Sequence, residues 1–288
     1  MKARPVIGLA LGSGSARGWA HIAVIRELER IGVDLRIVCG TSIGAVVGAA
    51  FAAGELDRFE EWVDGLKIGS VLGFLDIGLN GGLLKGERLI EFFKKRFVDR
   101  PIEDLTRRFG AVATDLLTGS EVWLRRGSTT DALRASAAIP GLFAPVIRDG
   151  KLLADGGMVN PVPVSLARAM GADIVIGVDL NADLLASHRR ALARSDPEGA
   201  SGWLESSETG LKMPSMIDVV TASLHVMQAR ITRSRMAGEP PDILITPRLA
   251  HMGMLDFHRA EPAFNAGREA VIEVMSQFEA LGLARSGR

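Results

Sequence analysis

The sequence contains no tyrosine and only one cysteine in 288 residues. The lone Cys39 rules out an intrachain disulfide and a cysteine-based metal site, and it fits a chain kept in a reducing compartment such as the cytoplasm. Aromatic residues make up 5%, too few for the stacking platforms that bind single-stranded nucleic acid. Net charge is also missing. The 34 Lys and Arg balance the 34 Asp and Glu, which argues against a dedicated nucleic-acid binder. Long apolar runs are scarce. Lys2 and Arg4 before the run Val6–Leu11 mimic a signal peptide, but that run is short for its apolar region and reads better as a first strand. The charge-free stretch from Ile37 to Gly54 carries Gly40, Gly44 and Gly48 at the G-x-x-x-G spacing of membrane helix pairs. It is marginal against the ~20 residues a span requires. It divides into a β-branched part, a Gly-Thr-Ser turn and an Ala/Val/Gly part, so a buried strand feeding a buried helix is the simpler reading.

What is present is an ordinary globular composition, 47% hydrophobic and 24% charged, with 33 glycines for tight turns and close backbone approaches. Pro5 to Leu11 reads as a strand. Arg17 to Ile31 has helical spacing, with Ile22, Ile25, Leu28 and Ile31 on one face and Gly32 as its stop. Leu35 to Cys39 is a second strand, and Ile43 to Ala53 a second helix ended by Gly54. This β-α-β-α opening predicts an α/β fold with a mostly parallel sheet between helical layers. Further helices are expected over 56–66, 87–97, 131–138, 163–170, 215–236 and 261–281. Further strands are expected over 109–116, 121–124, 151–153, 174–178 and 243–246. No internal repeat or domain linker stands out, so residues 1–288 are read as one domain. The segment 186–214 changes character and is expected to be a long mobile excursion. Its Trp203, Leu204, Leu211 and Met213 would suit a lid over an apolar site, against the plainer reading of a surface loop.

Three short blocks could carry chemistry. Gly40-Thr41-Ser42-Ile43-Gly44 is G-x-S-x-G between a predicted strand and a predicted helix. That setting makes a sharp turn that presents a serine hydroxyl at the end of a sheet. The alternative is a Ser/Thr cap on a buried helix. Gly12-Ser13-Gly14-Ser15-Ala16-Arg17-Gly18 follows the first strand and opens the first helix. Its small residues expose backbone amides that would hold a phosphate or a tetrahedral oxyanion. A dinucleotide reading fares worse. The glycine spacing is one residue too loose, and the second strand ends in Val38-Cys39-Gly40 without the acid that binds ribose. Asp155-Gly156-Gly157 is either a plain turn or a carboxylate aimed at a neighbouring strand end. Among the histidines, His21 sits beside an apolar helix face and reads as structural. His188, His225, His251 and His258 follow Asp155 and are formally available as bases in a Ser…Asp…His order.

Together these blocks resemble the patatin-like phospholipase family, which includes bacterial patatin-like proteins and the catalytic domain of neuropathy target esterase. The shared order is a glycine-rich loop with a basic residue, G-x-S-x-G, then D-G-[GA]. The likeness takes in Gly18-Trp19-Ala20-His21, the run from Ala138 to Pro145, and Asn160-Pro161. It spans roughly Val6 to Asp179. The resemblance implies a three-layer patatin-like fold with a nucleophile elbow and a Ser-Asp dyad without histidine. Ser42 would attack the acyl carbonyl and Asp155 would take its proton. The backbone around Ser13, Gly14 and Ser15 would hold the oxyanion. Arg17 would fix that loop or meet a substrate phosphate. No metal or cofactor is implied. The partner is a lipid or acyl-ester substrate, with peripheral membrane contact in keeping with it, and no nucleic acid. The loop departs from the common D-G-G-G-x-[RK]-G pattern: Gly12 replaces the aspartate, and Ser13 and Ser15 replace two glycines. Backbone donors survive such changes, but Ser15 would need an unusual φ. A non-catalytic lipid-binding module that retains the fold is the competing expectation.

Overall fold

The computed structural model describes residues 4–67, 69, 86–183, 206–207, 210–211 and 216–284. Among them, a central sheet runs parallel through β10 (Ile243–Ile245), β7 (Ile174–Val178), β1 (Ile7–Leu11), β2 (Leu35–Thr41) and β3 (Arg108–Asp115). β6 (Lys151–Asp155) and β5 (Val146–Arg148) extend it antiparallel, and β4 (Glu121–Leu124) pairs antiparallel with β3. The mobile loop or lid expected at 186–214 lies outside the described residues, apart from the short antiparallel pair β8 (Ser206–Ser207) and β9 (Gly210–Leu211).

Side chains alternate along each strand, so a sheet covered on both faces needs apolar residues at every position. β1 is buried throughout. Leu9 and Leu11 point into one core with Ile22, Ile25 and Leu28 of α1 (Ala20–Arg30), Val47 of α2 (Ile43–Ala53) and Phe264 of α8 (Ala260–Glu273). Ala10, Ile37 and Cys39 point into a second core with Val164, Leu166 and Ala167 of α6 (Val164–Ala169). The result is a three-layer α/β architecture with a mostly parallel sheet. α3 (Leu56–Asp64), α4 (Glu87–Arg96) and α5 (Thr129–Ser136) join the first core through Phe59, Phe93 and Leu133. α7 (Met216–Gly238) reaches the segment after β1 through a Ser13–Gln228 bond and the segment after β6 through an Arg235–Val159 bond.

The charge-free stretch from 37 to 54 is β2, a turn at Ser42 and α2. No helix among the described residues is long and apolar enough to cross a membrane. Two predicted elements differ in detail. The first helix begins with a 3-10 turn, Ser15–Trp19, before α1. The helix expected over 261–281 breaks at Val274 (φ −107, ψ 13) into α8 and α9 (Met275–Ala280). The break leaves Phe278 fully buried, and burying such a side chain contributes ~2–3 kcal/mol, more than one interrupted helical hydrogen bond costs.

Candidate active site

Sheet register brings Ser42 and Asp155 together. β2 pairs with the first half of β3 and ends with Thr41 opposite Val112. β6 pairs with the second half and ends with Asp155 opposite Ala113. Ala113 also pairs with Val122 of β4, so β6 lies on the edge of β3 that β2 occupies. The two strands run toward each other along that edge and meet at adjacent rungs. Residues separated by more than a hundred positions thereby become neighbours.

Ser42 has φ 57 and ψ −124, a conformation that costs a non-glycine residue about 1–3 kcal/mol. Close packing on either side holds it there. A Cβ on Gly40 would stand 2.4 Å from the Ala45 backbone, and one on Gly44 would stand 2.2 Å from the Leu11 carbonyl oxygen. Neither contact involves a side chain able to move aside, so the strand and the helix require glycine at both flanks. The Ser42 amide donates to Ser136 Oγ at 3.0 Å. Its hydroxyl makes no cap bond to α2, which removes the helix-cap explanation for this serine.

Asp155 is 2% exposed. Its Oδ1 accepts the Gly157 amide at 2.7 Å. Burial pushes the carboxyl up to about 6, while the neighbouring Ser42 hydroxyl and the Gly157 amide pull it down. Oδ2 has no well-formed hydrogen bond, so the Ser42–Asp155 approach is a loose one.

The glycine-rich loop lies against the same corner. A Cβ on Gly18 would stand 2.1 Å from the Ile43 side chain. The amides of Gly12, Ser13, Ala16 and Arg17 donate to Val178, Pro161, Met254 and Gly14 carbonyls. Those of Gly14 and Ser15 have no acceptor among the described residues, so this loop holds two consecutive free donors. Ser15 takes φ 50, the unusual value that a serine in this loop was expected to need.

Arg17 is 2% exposed. Its Nε donates to the Met252 carbonyl at 3.0 Å and its guanidinium reaches Asn181 Oδ1 at 3.4 Å. Burial lowers it to about 10, opposed by the negative Asp256, so it stays charged at neutral pH. His21 is fully buried, with Nε2 2.8 Å from the Gly12 carbonyl, and burial lowers it to about 4 against that bond. It therefore donates as a neutral ring and is structural. Burial, aided by the Arg17 charge, lowers His225 to about 4. His251 and His258 are exposed, and His188 lies outside the described residues. No histidine hydrogen-bonds Ser42 or Asp155 among the described residues.

Sequence reasoning missed the supporting residues. Thr41 donates to the Asn160 carbonyl at 2.8 Å, and the Asn160 amide bonds Glu121 and Ser165. Asn181 and Gln228 both bond Ser13. Only Asn160 had a signal, its place in the Asn-Pro pair after Asp155. A cleft of about 690 Å³ lined by Trp123, Arg168, Arg235 and Asp242 lies apart from this site, and neither Ser42 nor Asp155 lines it.

Residues 9–168 match the family model described as patatin-like phospholipase. An uncharacterized NTE family protein of Mycobacterium tuberculosis is 32% identical over 337 residues, covering 96% of this chain and 92% of that protein. Patatin-like phospholipase domain-containing protein 7 of Mus musculus is 35% identical over 182 residues, covering 60% of this chain and 13% of that protein. The crystal structure of VipD from Legionella pneumophila superposes with a TM-score of 0.47 at 12% identity, over 97% of this chain and 77% of that one.

Proposed function

The chain belongs to the patatin-like phospholipase family, whose members are generally lipid acyl hydrolases, and on that premise we propose that it cleaves fatty-acyl esters through a Ser42–Asp155 dyad. The observation that carries the reading is the meeting of a strained serine and a buried carboxylate on adjacent rungs of β3. Ser42 Oγ attacks the acyl carbonyl as Asp155 takes its proton. The carbonyl oxygen becomes an oxyanion and accepts from the Gly14 and Ser15 amides, donors that need no reorganisation. Collapse of the tetrahedral intermediate returns the proton from Asp155 to the departing alcohol. Water, deprotonated by Asp155, then releases the fatty acid and regenerates Ser42. No metal or cofactor takes part in this scheme.

An ordinary aspartate, at about 4, is a weak base. Raised to about 6, Asp155 is a better proton acceptor and is still ionised at neutral pH. The sign follows from its role: the ionised form works, so activity rises with pH through the folded value. The pH profile of kcat/KM for 4-nitrophenyl butyrate should show one ascending limb near 6. A limb near 7 that disappears on replacing His225 would overturn the dyad.

Arg17→Met separates the two roles expected for that residue. Losing a buried, charge-assisted hydrogen bond costs about 1.5–3 kcal/mol, or roughly 10–100-fold if the loop must be ordered to react. Because Arg17 is held by Met252 and Asn181, the loss should be equal for a phospholipid and for a neutral nitrophenyl ester. A loss confined to the phospholipid would instead assign Arg17 to the substrate phosphate.

Peripheral contact with a lipid surface is part of the same proposal. The outer face of α7 leaves Val219, Val220, Val226 and Met227 between 40% and 49% exposed, while its inner face reaches the glycine loop through Gln228.

A further inference from the structure

The loop that offers the Gly14 and Ser15 amides carries serine at position 13, where the family pattern has glycine. That side chain is not idle. Ser13 is 3% exposed, and its Oγ donates to Gln228 Oε1 at 3.1 Å. Its amide donates to the Pro161 carbonyl at 2.9 Å, and its carbonyl accepts from Asn181 Nδ2 at 3.1 Å. The residue just ahead of the two free donors is therefore held from three directions, and the side-chain bond supplies the one from α7.

The other end of the same glutamine meets the other half of the site. A Cβ on Gly157 would stand 2.4 Å from Gln228 Nε2 and 3.0 Å from Asp155 Oδ1. The amide nitrogen thus lies on the face of Gly157 that also faces the Asp155 carboxylate. α7 itself is anchored to this turn, because Arg235 donates to the Val159 carbonyl at 2.7 Å and to Glu121 at 2.6 Å. One side chain spans the loop that would bind the oxyanion and the turn that aims the base.

We propose that Gln228 is a positioning residue that clamps the glycine-rich loop to the Asp155 turn, with Ser13 as its handle. The inference rests on the Ser42–Asp155 reading given above. The acceptor end fixes where the Gly14 and Ser15 amides stand relative to Ser42. The donor end turns the positive side of its amide dipole toward the carboxylate and favours the ionised base. The serine that departs from the family pattern is then a compensating contact, replacing glycine's freedom with a side-chain bond.

The test measures kcat, KM and the pH profile with 4-nitrophenyl butyrate for Ser13→Ala, Gln228→Met, their double variant, Gln228→Glu and Ser42→Ala. Ser13→Ala and Gln228→Met should each lower kcat about tenfold, the worth of one good hydrogen bond in the transition state, with KM within about twofold. The double variant should fall no further than Gln228→Met alone, since that change already removes the Ser13 contact. Gln228→Glu retains an acceptor for Ser13 but places a negative charge beside Asp155. Its kcat at high pH should be largely retained, and its acid limb should move up by about one pH unit. In Gln228→Met, which removes the amide dipole, the limb should also move up, and a residue that only packs would leave it in place. Gln228→Met with kcat unchanged, or Gln228→Glu with the limb in place, would overturn the clamp while leaving the dyad untouched. Full activity in Ser42→Ala would instead overturn the dyad, and the clamp with it.

Discussion

Asp155→Asn is expected to abolish hydrolysis and, at alkaline pH, to make the protein more stable. The loss follows from removing the base that takes the Ser42 proton, a role worth roughly 10²–10⁴-fold in rate. Asparagine retains an oxygen for the Gly157 amide bond, so the turn after β6 should stay in place. The stability gain follows from linkage. The folded carboxyl titrates at about 6 against a usual 3.8, because burial opposes its charge. A carboxyl raised in this way favours the folded state fully below the usual value. That contribution is lost as pH rises through about 6, where the buried group must ionise. At pH near 8 the cost approaches ~3 kcal/mol, and asparagine does not incur it. Thermal midpoints of the two proteins should therefore coincide near pH 4. They should separate as pH rises from about 4 to 6 and stay apart above that, by several degrees for a chain of this size. A variant less stable than the parent at pH 8 would show that Asp155 is held by partners that the charge requires.

Ser42→Ala should reduce hydrolysis by roughly 10⁴-fold or more, since no other group among the described residues stands ready to attack in its place. Stability should hardly change, because alanine inherits the same backbone. Ser42→Gly should be equally inactive and more stable, by about 1–3 kcal/mol, because glycine adopts φ 57 without the penalty that serine bears. The contrast between the two variants isolates strain from chemistry. If Ser42→Gly gains no stability, the turn is not strained. If Ser42→Ala keeps its activity, Ser42 is not the nucleophile.

The parts of this site legible in the sequence were those written in local chemistry. β2, the turn and α2 are contiguous, and the switch from β-branched residues to Gly-Thr-Ser and then to alanine-rich helix announces all three. Gly40 and Gly44 were readable as close approaches because both flank the turn. Asp155 was visible only as an Asp-Gly-Gly turn, and its pairing with Ser42 came from a family likeness. The physical cause, two strands sharing one edge of β3, is a long-range register that no local pattern encodes. Gln228 and Asn181 were silent for the same reason, each being a polar residue whose partner lies more than 160 positions away. β5 was missed although a signal existed. Asp149 and Gly150, with φ 50 and 72, form the two-residue turn between Val146–Arg148 and Lys151–Asp155 that an Asp-Gly pair between short apolar runs favours. Its three residues are at least partly exposed, so the alternation that betrays longer strands was absent. The break at Val274 carried no glycine or proline and was decided by where Phe278 could be buried.

The most direct test of the Ser42–Asp155 dyad is covalent labelling with a fluorophosphonate, followed by mass spectrometry of the digested protein. The expected result is a single adduct on the peptide that contains Ser42, absent from Ser42→Ala, with a labelling rate that falls as pH drops below about 6 and Asp155 takes up its proton. A folded protein that takes no label, or takes it on another serine while Ser42→Ala still hydrolyses esters, would contradict it.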